Sequence, residues 1–308
     1  MIKIRVPATS ANLGPGFDCL ALSLNLWNEI TFESSVETTY TVKGEGQEKL
    51  NHKPRNLLIK SYRYLHEVCG AKMTGVAVKA LNRIPIGSGL GSSAGAIVAG
   101  LVGANAMLKN PLKGMDLLKM ASDLEGHPDN VAAALQGGLV ISVVSRDEIL
   151  TQRYELPDLT ILIVIPDVTW PTRMARAVLP KSYSRHDAVF NIGRSAMVVN
   201  ALREGDLDLL QRVMDDRIHQ PYRLKHIDGG LNAYKLARSF GAAALSGAGP
   251  SLIVFLRPQM ERQAISALNS VFEARGVTVK SMVLKPSNEG VQLVKIQRGH
   301  GLPNDVVN

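Results

Sequence analysis

Apolar and polar positions alternate in two ways along this chain, and the two periods divide it into strands and helices. Leu20, Leu22, Leu24 and Leu26 recur at every second position and predict a strand over residues 20–34. Residues 2–6 and Val76-Ala77-Val78-Lys79-Ala80-Leu81 read as strands in the same way. Helical spacing covers Leu57 to Cys69, which Gly70 ends, and about Lys113 to Leu124. A small-residue helix is predicted from about Asp129 to Gln136, stopped by Gly137-Gly138, before a strand at Leu139–Val144. Pro157-Asp158 marks a boundary. Beyond it come a strand at Thr160–Ile165, helices near Asp187–Arg203 and Asp206–Ile218, and a helix over Gly230–Phe240 leading into strand Ala242–Leu245. Strand Leu252–Leu256, a helix near Gln259–Arg275 and strands Val277–Leu284 and Val291–Gln297 complete the pattern, and the aperiodic tail from Arg298 is expected to be loose. The second half therefore mixes helices with an antiparallel sheet, an α+β pattern. Two domains are expected, residues 1–157 and 158–308, with no internal repeat or low-complexity linker.

Between these elements lie three segments dense in turn formers and small residues: 7–18, 85–95 and 246–251. The middle one with the residue before it, Ile84-Pro85-Ile86-Gly87-Ser88-Gly89-Leu90-Gly91-Ser92-Ser93-Ala94-Gly95, follows a predicted strand and opens a predicted helix. Its three alternate glycines remove the Cβ atoms that would hold an anion away from main-chain N–H groups. The helix start adds unpaired N–H groups and a positive dipole end, so the segment suits phosphate. It is neither a Walker loop nor Gly-x-Gly-x-x-Gly. A glycine-rich turn backed by a small-residue helix, with Ser92 or Ser93 as an N-cap, fits the same residues.

Composition narrows the class without naming a chemistry. The 308 residues carry 35 Lys and Arg against 27 Asp and Glu, a formal charge of +8 that could suit an anionic ligand such as a nucleotide. The cations are scattered, with no basic run or aromatic–basic alternation, so no nucleic-acid partner is expected. Cys19 and Cys69 match no metal spacing and read as free thiols of a reducing compartment. The N-terminus reads as a strand rather than a signal peptide, and the aliphatic run Ile161–Ile165 is too short to span a bilayer. A soluble, cytoplasmic protein with no membrane partner is the expectation.

Taken together, the three turn-rich segments resemble the three motifs of the galacto-, homoserine, mevalonate and phosphomevalonate (GHMP) kinases. The middle segment fits the ATP motif of that family at every defined position, and the resemblance covers essentially the whole chain. Pro7-Ala8-Thr9-Ser10-Ala11-Asn12-Leu13-Gly14-Pro15-Gly16-Phe17-Asp18 looks most like the members that act on L-homoserine. Gly126-His127-Pro128-Asp129-Asn130-Val131-Ala132 and Gln220-Pro221-Tyr222-Arg223 point the same way. The resemblance implies a two-domain α+β architecture, an N-terminal ribosomal-protein-like domain and a C-terminal ferredoxin-like domain with the site between them. It also implies a homodimer, ATP and Mg²⁺ as cofactors, and L-homoserine as the small-molecule substrate.

By the same resemblance, Pro85, Ile86, Gly87, Ser88, Gly89, Leu90, Gly91, Ser92, Ser93, Ala94 and Gly95 form the ATP loop, and Ser93 and Glu125 hold Mg²⁺. Glu125 could equally be a helix-end carboxylate on a solvated face. Asn56 would read the adenine edge, although Asn before a helix is commonly an N-cap. Asp18, helped by Asn12, would take the substrate ammonium, unless Asp18 is only a turn cap. Arg176 and Arg223 would take the carboxylate with planar forks, with Thr172 as a nearby hydroxyl and Arg173 as the residue most easily confused with Arg176. His127 and Asn130 line the reaction site beside Ser93 and Glu125, Asp129 starts its helix, and no dedicated base is expected. A kinase for another small alcohol, a catalytically silent sensor and an RNA-binding module are the rival readings.

Overall fold

The computed structural model describes residues 1–51, 56–109, 111–146 and 148–295; the tail from Arg298 lies outside the described residues. β1 (Ile2–Ala11) runs past its expected end at residue 6, because residues 8–11 keep pairing with β2 (Leu20–Ser34) after a register shift between Pro7 and Ala8. Proline has no N–H for the ladder, so an irregularity is where it belongs. β3 (Thr39–Gly44) lies parallel to β4 (Val76–Asn82), which is antiparallel to β2. The sequence reading missed β3, whose residues are mostly exposed on this edge. Next come α1 (Gln47–Asn51), α2 (Leu57–Val68), α3 (Ser92–Met107), α4 (Gly114–Glu125) and α5 (Asp129–Gln136). β5 (Leu139–Ser145) pairs with the start of β2 and forms a hairpin with β6 (Glu148–Tyr154). α3 is apolar and small-sided all round, which suits burial between the sheet and its neighbouring helices.

The second half starts at β7 (Thr160–Pro166) and passes through α6 (Thr172–Ala177), α7 (Arg185–Glu204), α8 (Leu207–Val213), α9 (Gln220–Arg223) and α10 (Gly230–Ala237). β8 (Gly241–Leu245), β9 (Leu252–Leu256), α11 (Glu261–Glu273) and β10 (Val279–Leu284) follow. The sheet order β10-β7-β9-β8, antiparallel throughout, is ferredoxin-like. The chain then returns to the first sheet, where β11 (Gln292–Lys295) pairs antiparallel with the outer side of β1. That sheet thus reads β11-β1-β2-β4-β3, with the β5–β6 hairpin attached to β2.

The two halves share a core. Leu13, Leu22, Leu90 and Leu139 pack with Ile161, Ile163, Leu202 and Phe255 in one buried cluster. Leu162 and Val164, the alternate positions of β7, face a separate cluster beneath α10 and α11. A strand covered on both faces explains the continuous aliphatic run at 161–165. This shared core holds the three turn-rich segments against one another. Among the described residues, no helix is long and apolar enough to cross a membrane.

Candidate active site

The three segments meet where β1, the start of α3 and the β8–β9 turn converge. Thr9 N–H donates to Leu90 O (3.2 Å), Gly247 N–H to Ala11 O (3.0 Å) and Ser251 N–H to Ser88 O (3.3 Å). The Ser246 hydroxyl donates to Gly89 O and lies beside Ser10 Oγ, both at 2.8 Å. Gly87, Gly89 and Gly91 all adopt positive φ (70°, 82° and 68°), the alternation that the sequence predicts for a phosphate-cradling loop. At Gly89 a Cβ would stand 2.2 Å from Ser246 O, and at Gly91 1.9 Å from Thr9 Oγ1, so neither position has room for a side chain. Gly91 is the N-cap of α3 and brings no side-chain hydrogen bond. Ser92 and Ser93 are therefore not caps, and the first-turn N–H groups keep their capacity for an anion.

Below this loop opens a cavity of about 280 Å³ lined by both halves of the chain. Its walls bring together Asn12, Asp18, Ser93, Glu125, His127, Asn130, Thr172, Arg176 and Arg223. Arg176 grips Asp18 with a bidentate fork, Nη1 to Oδ2 at 2.9 Å and Nη2 to Oδ1 at 2.8 Å. The Asp18 hydrogen bonds, stronger than the desolvation that opposes them, push the Arg176 guanidinium above its ordinary pKa. Asn12 Oδ1 accepts the Asp18 N–H at 3.0 Å while its Nδ2 donates to Gly247 O at 2.7 Å. Both ends of this amide hold loops in place. Asp18 itself sits at φ 55°, a region that Asp tolerates better than most side chains.

Arg223 is 1 % exposed, and burial followed by the charge of Arg176 brings its pKa down to about 10. It stays charged at neutral pH, donates from Nε to Ala175 O (3.0 Å) and lies 5.2 Å from the centroid of the Phe17 ring. Arg173 is exposed and does not line the cavity, so Arg176 is the arginine that α6 turns inward.

At the opposite wall, Ser93 Oγ donates to Glu125 Oε2 at 2.7 Å. Burial raises the Glu125 pKa, and the nearby Asp129 charge adds to that against the opposing effects of Ser93 and His127. His127 donates Nδ1–H to Asp129 Oδ1 at 2.7 Å. Burial pulls the His127 pKa down, but the hydrogen bond and charge of Asp129, with Glu125, outweigh it and leave it raised. Asn130 accepts from Thr9 Oγ1 at 2.8 Å and also contacts Asp129, so its amide is fixed.

A second cavity of about 240 Å³ shares Gly87, Ser92 and Ser93 with the first and is walled by Ile30, Tyr40, Leu50 and Leu57. Asn56 lines it while capping α2 by accepting from Leu58 N–H and Ile59 N–H, so the N-cap reading holds. Ile86 and Gly95 also reach this cavity. Pro85, Leu90 and Ala94 line neither of these two cavities; they are buried and act through the backbone and the core. The sequence reading missed Trp170, whose Nε1–H donates to Ala248 O (3.0 Å) on the cavity rim, and also Phe17 and His219. Phe17 and His219 stood inside or beside segments already singled out; no short-range signal marked Trp170.

Residues 56–138 match the GHMP kinases N terminal domain and residues 198–274 the GHMP kinases C terminal domain. A homoserine kinase of Moorella thermoacetica is 41% identical over 96% of this chain and 100% of its own length. One from Caldanaerobacter subterraneus is 39% identical over 96% of each chain. The crystal structure of a homoserine kinase from Cytophaga hutchinsonii superposes with a TM-score of 0.83 at 29% identity, covering 95% of this chain and 97% of that one.

Proposed function

The chain belongs to the GHMP kinases, and we propose that it is the member that phosphorylates the side-chain hydroxyl of L-homoserine with ATP. The product is O-phospho-L-homoserine, an intermediate on the route to threonine. One observation carries the acceptor assignment: Asp18, Arg176 and Arg223 meet in a single cavity beneath the glycine loop. A free amino acid presents one ammonium and one carboxylate. Its ammonium can take Asp18 and its carboxylate can take Arg176 and Arg223, so both partners of the Asp18–Arg176 pair find a replacement in one ligand. Mevalonate and sugars offer no ammonium to Asp18.

In this reading the ATP phosphates rest on the backbone of Gly87 to Ser93 and the first turn of α3, and the adenine enters the adjoining apolar cavity beside Tyr40, with Asn56 at its wall. Ser93 and Glu125 would hold Mg²⁺. A hydroxyl and a carboxylate 2.7 Å apart are hard oxygen donors that suit it. Phosphate oxygens and water would supply the other ligands. Bound there, Mg²⁺ would offset charge on the β- and γ-oxygens. The homoserine oxygen forms its bond to the γ-phosphorus as the bridging P–O bond to ADP breaks. The hydroxyl proton passes to the transferred phosphoryl group or to water. His127 and Asn130, each tied to Asp129, orient the reacting groups, and no side chain serves as a dedicated base.

ADP release with ATP and Mg²⁺ should be measured against L-homoserine, L-threonine, mevalonate and galactose, with the product ester identified by ³¹P NMR. Turnover confined to L-homoserine is expected. Turnover on another alcohol would keep the kinase and remove the acceptor assignment; no turnover on any of the four would overturn the reading.

A further inference from the structure

We infer that His219, held as the neutral Nε2–H tautomer, is a positioning residue that sets Arg223 for the substrate carboxylate; this rests on the homoserine-kinase reading above. His219 is fully buried just before α9, four residues ahead of Arg223. Its Nε2 lies 2.8 Å from Gly14 O. A carbonyl only accepts, so Nε2 carries the proton and Nδ1 is left as a bare acceptor. Arg223 Nη1 donates to that Nδ1 at 3.2 Å. The Phe17 ring stacks on His219, centroids 5.4 Å apart, and the same ring carries Arg223.

The surroundings of His219 leave the ring neutral on balance. Asp216 lies 3.6 Å from Nε2, but its Oδ1 accepts from Asn191 Nδ2 and Ile218 N–H, and its Oδ2 from His219 N–H and Gln220 N–H. That carboxylate is occupied four times over. Burial lowers the imidazole pKa, and the Arg223 charge lowers it further against the pull of Asp216, Gly14 O and Asp18. A proton on Nδ1 would turn it from acceptor to donor, facing the Arg223 donor with like charge. The chain Gly14 O, His219, Arg223 thus links the first loop to the arginine that the acceptor site needs, its Gly14–His219 contact joining residues 205 apart.

Two substitutions separate the halves of the imidazole. His219→Asn places an amide oxygen near the Nδ1 position and keeps the acceptor for Arg223. His219→Gln places its amide near Nε2 and keeps only the link to Gly14. Steady-state kinetics should be run on both, in the wild-type and Arg223→Ala backgrounds, with thermal midpoints for all. Losing the acceptor to a charged donor should raise the KM for homoserine roughly ten- to hundredfold in His219→Gln, with the KM for ATP unchanged. His219→Asn should restore most of that loss, and His219→Gln should add nothing once Arg223 is absent. The inference is overturned if His219→Asn is as impaired as His219→Gln, if His219→Gln leaves the homoserine KM unchanged, or if its effect persists without Arg223. It is also overturned if neither variant folds, since His219 would then serve the fold alone. A wild-type protein with no activity on homoserine would instead remove the function on which the inference rests.

Discussion

Replacing Asp18 with Asn tests the acceptor site with little disturbance of the fold. Asp18 sits at φ 55°, where Asn is among the best tolerated side chains, and the two residues are nearly isosteric. What changes is the charge and one hydrogen-bond acceptor for Arg176. The pair is exposed by 39% on the arginine side and 34% on the aspartate side, so water screens it, and its loss should cost about 0–1 kcal/mol of stability. For a protein of this size that is at most about 4 °C in thermal midpoint. Catalysis should suffer far more. A charge-assisted hydrogen bond from the ammonium is worth about 1.5–3 kcal/mol, so kcat/KM for homoserine should fall roughly 10- to 150-fold. The assay is coupled ADP release with homoserine and ATP varied separately. 4-Hydroxybutyrate, which lacks the ammonium, serves as a second acceptor. Asp18→Asn should narrow the preference for homoserine over 4-hydroxybutyrate and leave the KM for ATP unchanged. An unchanged preference would refute the ammonium assignment, even if overall activity fell.

Glu125→Gln should cut kcat at least about a hundredfold at saturating Mg²⁺ by removing a metal-ligand charge, while raising the thermal midpoint at neutral pH. The sign follows from linkage: a carboxyl pKa raised by folding gives stability that is present at low pH and lost as pH rises through the folded value. The gain should therefore vanish near pH 3, and a midpoint that drops at pH 7 would contradict it. Gly91→Ala should lower the thermal midpoint markedly, because φ is 68° and its Cβ would meet Thr9 Oγ1 at 1.9 Å. Gly87→Ala, at φ 70° with nothing within 4 Å, should keep more of the fold but raise the KM for ATP; equal midpoints for the two would argue against this packing. Arg176→Ala should raise the KM for homoserine roughly tenfold or more, whereas Arg173→Ala should match the wild-type protein in the same assay.

The sequence made legible what is local and left hidden what is paired at long range. The glycine loop could be read because its chemistry is written in consecutive residues, strand then alternate glycines then helix. Period-two leucines revealed β2, and the apolar run at 161–165 revealed β7, but not that β7 is covered on both faces. β3 escaped because an exposed edge strand lacks a regular apolar face. The spacing predicts one helix over Asp206–Ile218; α8 ends at Val213, because Asp216 then bends the chain by accepting three successive N–H groups, from Ile218, His219 and Gln220. Nothing in the spacing announced that the last strand would cross back to β1. The site follows the same division. Asp18 and Arg176 each stood out within their own segments, yet their bidentate pairing joins residues 158 apart. Arg223 could be named from its segment, but its burial and its tie to His219 could not. A sequence lists charges without their partners, so it suggests an ammonium site and a carboxylate site as separate things. The fold pairs Asp18 with Arg176, so in the proposed reading a ligand that carries both charges can satisfy both residues at once. A ligand with only one of the two would leave Asp18 or Arg176 without a partner, so discrimination by this site should depend on both charges jointly.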